Sequence, residues 1–174
     1  MSRSLYILRH GKSSWDSGAA SDFERPLSKR GKHDAPRMGA WMAARGHVPD
    51  HVVTSPARRA RKTAEKVGKA MGLLIPPALD PRIYAAQRED LLRVLAECPP
   101  AADRVLLVGH NPGLEDLLAY LWGDATVVPA DGKLLPTATV AGLDLPADWS
   151  RLEHGCGAIR FLVRPKELPS DPRG

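Results

Sequence analysis

Leu5-Tyr6-Ile7-Leu8-Arg9-His10-Gly11 decides how this chain folds, because a short apolar run passes at once into a cation, an imidazole and a glycine. The apolar run reads as a buried β-strand. A strand with that ending carries Arg9 and His10 to the carboxyl edge of its sheet. In open α/β sheets, ligands bind outside that edge. Gly11 is then expected to let the backbone turn sharply and come close to a ligand.

The flanking sequence supports such a sheet. Residues 13–28 are polar and irregular, a loop able to reach over a site. Residues 29–45 have helical spacing through Met38, Trp41 and Met42, with Gly46 as a stop. A short strand is expected at residues 51–54. Ser55-Pro56 then reads as an N-cap and first helical position for a helix running to about Met71. A helix over residues 88–97 precedes the strand of residues 104–108. Asn111-Pro112 resembles a second N-cap pair and opens a helix through Leu121. Residues 137–145 alternate like a half-buried strand, and residues 158–163 form the last. The pattern predicts an α/β fold: a three-layer α/β/α sandwich on a mostly parallel sheet with one antiparallel strand.

The chain has 174 residues, of which 43% are apolar, enough for one domain with a proper core. We expect that domain to span residues 1–164, with a loose Pro- and charge-rich tail at 165–174. No stretch approaches the ~20 apolar residues of a membrane span. Met1-Ser2-Arg3-Ser4 leads straight into a strand without a signal-peptide pattern. Cys98 and Cys156 make no CxxC motif. Together these predict a cytoplasmic setting. The net charge of +5 favours anionic partners. Aromatic residues make up 5% and do not interleave with the basic runs, so single-strand stacking platforms are poorly supported.

Three strand ends converge if the sheet is parallel: Arg9-His10-Gly11, Ser55-Pro56-Ala57-Arg58-Arg59 and Gly109-His110-Asn111-Pro112. The middle one breaks a local rule. Two arginines fall in the first turn of a helix, where the macrodipole disfavours cations by about 0.3–1 kcal/mol each. An anion bound there turns that penalty into a gain. Two histidines and two arginines around two helix starts describe a phosphate pocket, and an imidazole nitrogen can attack phosphorus.

At this point the chain resembles the histidine phosphatase superfamily, with the phosphoglycerate mutase-like fold. The resemblance rests on Leu8-Arg9-His10-Gly11, on Ser55 to Thr63 with its Arg59-Ala60-Arg61-Lys62-Thr63 core, and on Gly109-His110. Arg25-Pro26-Leu27-Ser28 is similar to the family's loop before the first helix. Lys12 to Asp16 and Gly109 to Gly113 point to the branch resembling SixA-like phosphohistidine phosphatases. The resemblance covers residues 4–163. It implies a metal-independent phosphatase in which His10 is the nucleophile, Arg9 and Arg59 hold phosphoryl oxygens, and His110 contacts the same phosphate. Arg25, Asn111 and Ser13 are implied as substrate-binding residues. No cofactor is implied, and G-x-x-x-x-G-K-[ST] and G-x-G-x-x-G are both absent. One ring nitrogen of His10 is expected to donate to a backbone carbonyl, freeing the other to attack.

Two departures limit the resemblance. Mutases of the superfamily carry Asn where this chain has Asp16, so Asp16 is expected to orient an arginine instead. Many members also supply a Glu as general acid after the second helix. Here that segment reads Leu79-Asp80-Pro81-Arg82-Ile83-Tyr84, leaving Asp80, or more distantly Glu89, as the acid. General acid catalysis contributes ~10²–10⁴-fold when the leaving group needs a proton. An imidazole leaving group can arrive already protonated. The favoured substrate is therefore phosphohistidine in a protein. The alternatives are a small-molecule phosphomonoesterase and a basic nucleic-acid-binding module using Arg58 to Lys62. Trp15, Trp41 and Trp122 are read as packing residues, and His33, His47, His51 and His154 as structural or exposed.

Overall fold

Leu5 and Ile7 enter one buried cluster and Tyr6 and Leu8 another, on opposite faces of a six-stranded sheet. This alternation along one strand is the pleat at work. The computed structural model describes residues 2–170. Its strands are β1 (Arg3–Arg9), β2 (His51–Thr54), β3 (Ala78–Leu79), β4 (Arg104–Gly109), β5 (Val140–Leu145) and β6 (Ala158–Val163). They lie in the order β3-β2-β4-β1-β5-β6. β1, β2, β3 and β4 pair in parallel, while β5 is antiparallel to both β1 and β6. β5 is therefore the one reversed strand.

Helices α1 (Lys29–Ala44) and α2 (Arg58–Met71) cover one face through Met38, Met42, Ala60, Ala64 and Val67. Helices α3 (Arg88–Ala96) and α4 (Gly113–Trp122) cover the other through Leu91, Leu95, Leu114, Leu117 and Leu121. Leu5, Ile7 and Leu8 are fully buried, each contributing roughly 1.5–3 kcal/mol by leaving water. The three-layer α/β/α architecture follows as the sequence pattern predicts.

Several boundaries differ. α2 starts at Arg58, not at Pro56, and its cap residue is Ala57 with no side-chain cap. The Ser55 hydroxyl accepts from the Ala57 N–H at 3.2 Å but is drawn to a histidine, described below. α4 starts at Gly113 after Pro112, because the Asn111 side chain is engaged elsewhere. The alternating stretch at 137–145 is a strand only from Val140. Before it, Ala138 sits at φ 56° and donates its N–H to the carbonyls of Arg9 and His10 at 3.1 and 3.0 Å. β3 went unseen because two exposed residues show no period. The tail is packed further than its composition suggests: Pro165–Glu167 form a turn and Leu168 is buried against the α1/α2 cluster. Residues 171–174 lie outside the described part.

The loop after β1 is pinned at its base. The Ser28 N–H donates to the Lys12 carbonyl at 2.8 Å, the Ser14 N–H to the Pro26 carbonyl at 2.9 Å, and Ser13 and Leu27 form a bridge between them. Gly11 does not adopt a left-handed turn. It is needed for close approach: a Cβ there would meet the Gly31 Cα at 3.1 Å. On the other side of the contact, a Cβ on Gly31 would lie 2.2 Å from the Lys12 carbonyl oxygen. Gly31→Ala is therefore expected to destabilise the fold by about 1–3 kcal/mol or more, lowering the denaturant midpoint. An unchanged midpoint would mean that this backbone contact is soft.

Candidate active site

The strand register brings the three motif ends together. Arg9 stands opposite Gly109, and Thr54 opposite Val108. The pairing continues one step further: the His10 N–H donates to the Gly109 carbonyl at 3.1 Å, and the Ser55 N–H to the Val108 carbonyl at 3.0 Å. His10 and His110 thus project from neighbouring strand ends with ring centroids 5.1 Å apart. They border a cavity of about 340 Å³ with Arg9, Arg59, Arg25, Lys12, Ser13, Trp15, Asn111 and Thr137. No carboxylate is among these lining residues.

His10 Nδ1 lies 2.7 Å from the Gly11 carbonyl oxygen. A carbonyl only accepts, so Nδ1 carries the proton and Nε2 keeps its lone pair. His110 Nε2 lies 2.8 Å from Ser55 Oγ, while its Nδ1 is buried without a protein partner. If the hydroxyl gives its hydrogen to Nε2, His110 Nδ1–H is left as a donor for an anion. Burial pushes the His10 imidazole down to about 3, outweighing the Gly11 carbonyl that favours its protonated form. Burial and then the Arg59 charge bring His110 down to about 4. Both rings are consequently expected to stay neutral at pH 5, where an ordinary histidine is largely protonated. Ring-proton NMR titration checks this, and midpoints near 6.5 would refute it. The sign for stability follows. The unfolded chain binds protons below about 6.5 that the folded rings refuse, so stability falls with pH from there towards 4 and 3.

Arg59 is buried, and its two terminal nitrogens donate to the Asp22 backbone carbonyl at 2.7 Å and to Asp22 Oδ2 at 3.0 Å. Arg25 donates to Asp22 Oδ1 at 2.9 Å, to the Ser14 carbonyl at 3.2 Å and to the Ser13 hydroxyl. The Tyr84 hydroxyl donates to Asp22 Oδ2 at 2.8 Å. Hydrogen bonds from Tyr84, Arg25 and Arg59 hold the Asp22 carboxyl well below the usual carboxylate range. Part of the anion demanded by arginines at a helix start is therefore built in. Thr63, one turn beyond Arg59, accepts from the Gly11 N–H at 2.9 Å and donates to the Arg59 carbonyl at 2.7 Å. The Arg-Ala-x-x-Thr spacing thereby ties helix α2 to the loop that carries His10.

The other expected site residues divide. Arg9 donates to the Leu135 carbonyl at 3.2 Å and keeps a buried Nε without a protein partner. Ser13 lines the cavity and accepts from Arg25. Asn111 also lines it, but its amide donates to Glu115 Oε1 at 2.9 Å and to the Leu135 carbonyl at 2.8 Å. Both amide hydrogens are thus engaged, so the side chain works as a strut and not as a donor to substrate. Asp80 and Glu89 lie outside the cavity lining. Asp80 is bound to Arg82 at 2.7 Å, which lowers its pKa, and Glu89 pairs with Arg88 at 3.0 Å. Neither is placed as a general acid. Asp16 is exposed and makes no ion pair or hydrogen bond among the described residues; Asp22 holds the arginines instead. Trp15 is 75% exposed and does not pack in the core. Arg61 and Lys62 both pair with Glu65, so the basic stretch is partly neutralised while Arg59 turns inward.

Comparison with known proteins bears directly on this geometry. The family model described as histidine phosphatase superfamily (branch 1) matches residues 5–89. Phosphohistidine phosphatase SixA of Escherichia coli is 36% identical over 168 residues, covering 94% of this chain and 95% of that protein. This chain belongs to the histidine phosphatase superfamily. A putative phosphohistidine phosphatase SixA from Agrobacterium tumefaciens superposes with a TM-score of 0.80 at 27% identity, over 94% of this chain and 98% of that one. A protein histidine phosphatase SixA complexed with tungstate gives a TM-score of 0.78 at 25% identity, over 94% and 97%. The phosphoglycerate mutase-like fold expected from the motifs is thereby shown. Within this histidine phosphatase, Asp22 and Glu115 were missed from sequence. Glu115 in the first turn of α4 reads as ordinary dipole compensation, yet its carboxylate receives both Asn111 and the Leu135 N–H, beside Arg9. Neither carboxylate lines the cavity, and Asp22 is half-exposed in a hollow beside it that shares Trp15 and Arg25.

Proposed function

We propose that this phosphatase takes a phosphoryl group from phosphohistidine in a protein onto His10 Nε2 and passes it to water, without a metal. The observation that carries the reading is the composition of the cavity: permanent cations and neutral imidazoles line it, and no carboxylate does. Guanidinium groups of Arg9 and Arg59, with Nδ1–H of His110, suit the oxygens of a phosphoryl group in flight. His10 attacks in line as the P–N bond to the departing imidazole breaks. Water then attacks phosphorus, the His10–P bond breaks, and inorganic phosphate leaves.

A sugar alkoxide would need a proton, and this lining has no carboxylic acid to give one. Phosphohistidine can bring its own proton on the leaving ring. The printed name of the E. coli relative, a phosphohistidine phosphatase, agrees with this choice. The test is a direct comparison of a histidine-phosphorylated protein with a panel of sugar phosphates and nucleotides. Hydrolysis of the phosphoprotein at a kcat/KM far above the panel is expected. Efficient turnover of simple monoesters with the phosphoprotein untouched would overturn the proposal.

A further inference from the structure

Trp15 stands at the cavity mouth with most of its ring in solvent. The ring is nevertheless held. The Arg25 guanidinium lies over it at 3.3 Å from the centroid, a stacked cation–π contact. Arg25 is itself fixed by the Ser14 carbonyl, the Ser13 hydroxyl and Asp22. One face of the indole is therefore used, and the other is open on a platform that does not have to be ordered when something binds.

In-line attack decides what passes beside Trp15 at the cavity it lines. A nucleophile at the cavity floor expels the leaving group on the far side of phosphorus, which here is the mouth. Trp15 and the exposed Lys12 line that mouth. We propose that Trp15 is a specificity-determining residue whose open face stacks on the planar ring of the leaving group. This deepens the phosphohistidine reading and rests on it for the identity of the ring. A flat aromatic group gains from the indole; a compact leaving group without a ring does not.

The experiment uses two pairs of small molecules with the full chain and its Trp15→Ala and Trp15→Phe variants. Phosphoimidazole and phosphoramidate are N-phosphoryl substrates with and without a ring. Phenylphosphonate and methylphosphonate are stable inhibitors that differ in the same way. Trp15→Ala should raise KM for phosphoimidazole and Ki for phenylphosphonate about tenfold. Its effect on phosphoramidate and methylphosphonate should be several-fold smaller than on their ring-bearing counterparts, and Trp15→Phe should recover most of the ring-specific loss. Equal losses within each pair would overturn the proposal in favour of a purely structural role through Arg25. No loss for either ring-bearing compound would also overturn it. Failure of the unmodified protein to turn over both N-phosphoryl compounds and a histidine-phosphorylated protein would sink the phosphohistidine reading alone; the phosphonate pair then decides the stacking role by itself.

Discussion

His10→Ala is expected to lower phosphoryl turnover by ~10⁴-fold or more, the scale seen when a covalent nucleophile is removed. The neighbouring groups cannot substitute for it. His110 Nε2 is bound to Ser55, and the remaining polar lining is cations, the Asn111 amide and the Ser13 and Thr137 hydroxyls, none of them an activated nucleophile. The variant should keep the anion site formed by Arg9 and Arg59 and still bind inorganic phosphate. Mixing the protein with a labile phosphoryl donor and measuring intact mass after an alkaline quench reads the step itself. The unmodified chain should gain one acid-labile, base-stable phosphoryl group, and His10→Ala none. An adduct persisting in the variant would move the nucleophile elsewhere.

Arg59→Ala should cost about 10²–10³-fold in kcat/KM, as when a preorganised donor to transition-state charge is lost. The structure adds a further consequence. Asp22 would still be held by Arg25 and Tyr84, but its charge would lose one of its two guanidinium partners and act against an incoming phosphate. Removing that charge as well should therefore help. Arg59→Ala with Asp22→Asn is expected to be more active than Arg59→Ala alone, whereas Asp22→Asn by itself should reduce activity. Groups that share one hydrogen-bond network couple in this way. Steady-state kinetics on the four proteins of the cycle check it, and additive effects would show that Asp22 and Arg59 act independently.

Much of the framework was legible because it depends on local rules. Leu5 to Leu8 and Val105 to Val108 are apolar on both faces, and the three motifs follow strands or open helices, so their convergence needed only a parallel sheet. What escaped detection depends on pairing across long sequence separations. Asp22 lies in an irregular stretch, and nothing local indicates that Arg59 and Tyr84 fold onto it. Glu115 gives a helix-start signal that already has an ordinary explanation. Asn111 and Ser55 have the sequence neighbours of helix caps, but tertiary partners claim both side chains. Trp15 reads as a packing residue because an indole is mostly apolar surface; its seat on Arg25 is invisible without coordinates.

The loop after β1 has its two ends clipped together at Lys12 to Ser14 and Pro26 to Ser28, while its middle supplies Trp15 and Asp22. This separates two kinds of inheritance. The clip and the Gly11–Gly31 contact belong to the scaffold and leave little freedom. The tip around Gly18 makes no such contact, since a Cβ there would meet nothing within 4 Å. A lineage can therefore lengthen the tip between Trp15 and Asp22 and present a different surface to new partners, provided Asp22 keeps its hold on Arg59 and Arg25. In this chain, diversification has a hinge point, and around Gly18 it lies eight residues from the nucleophile His10.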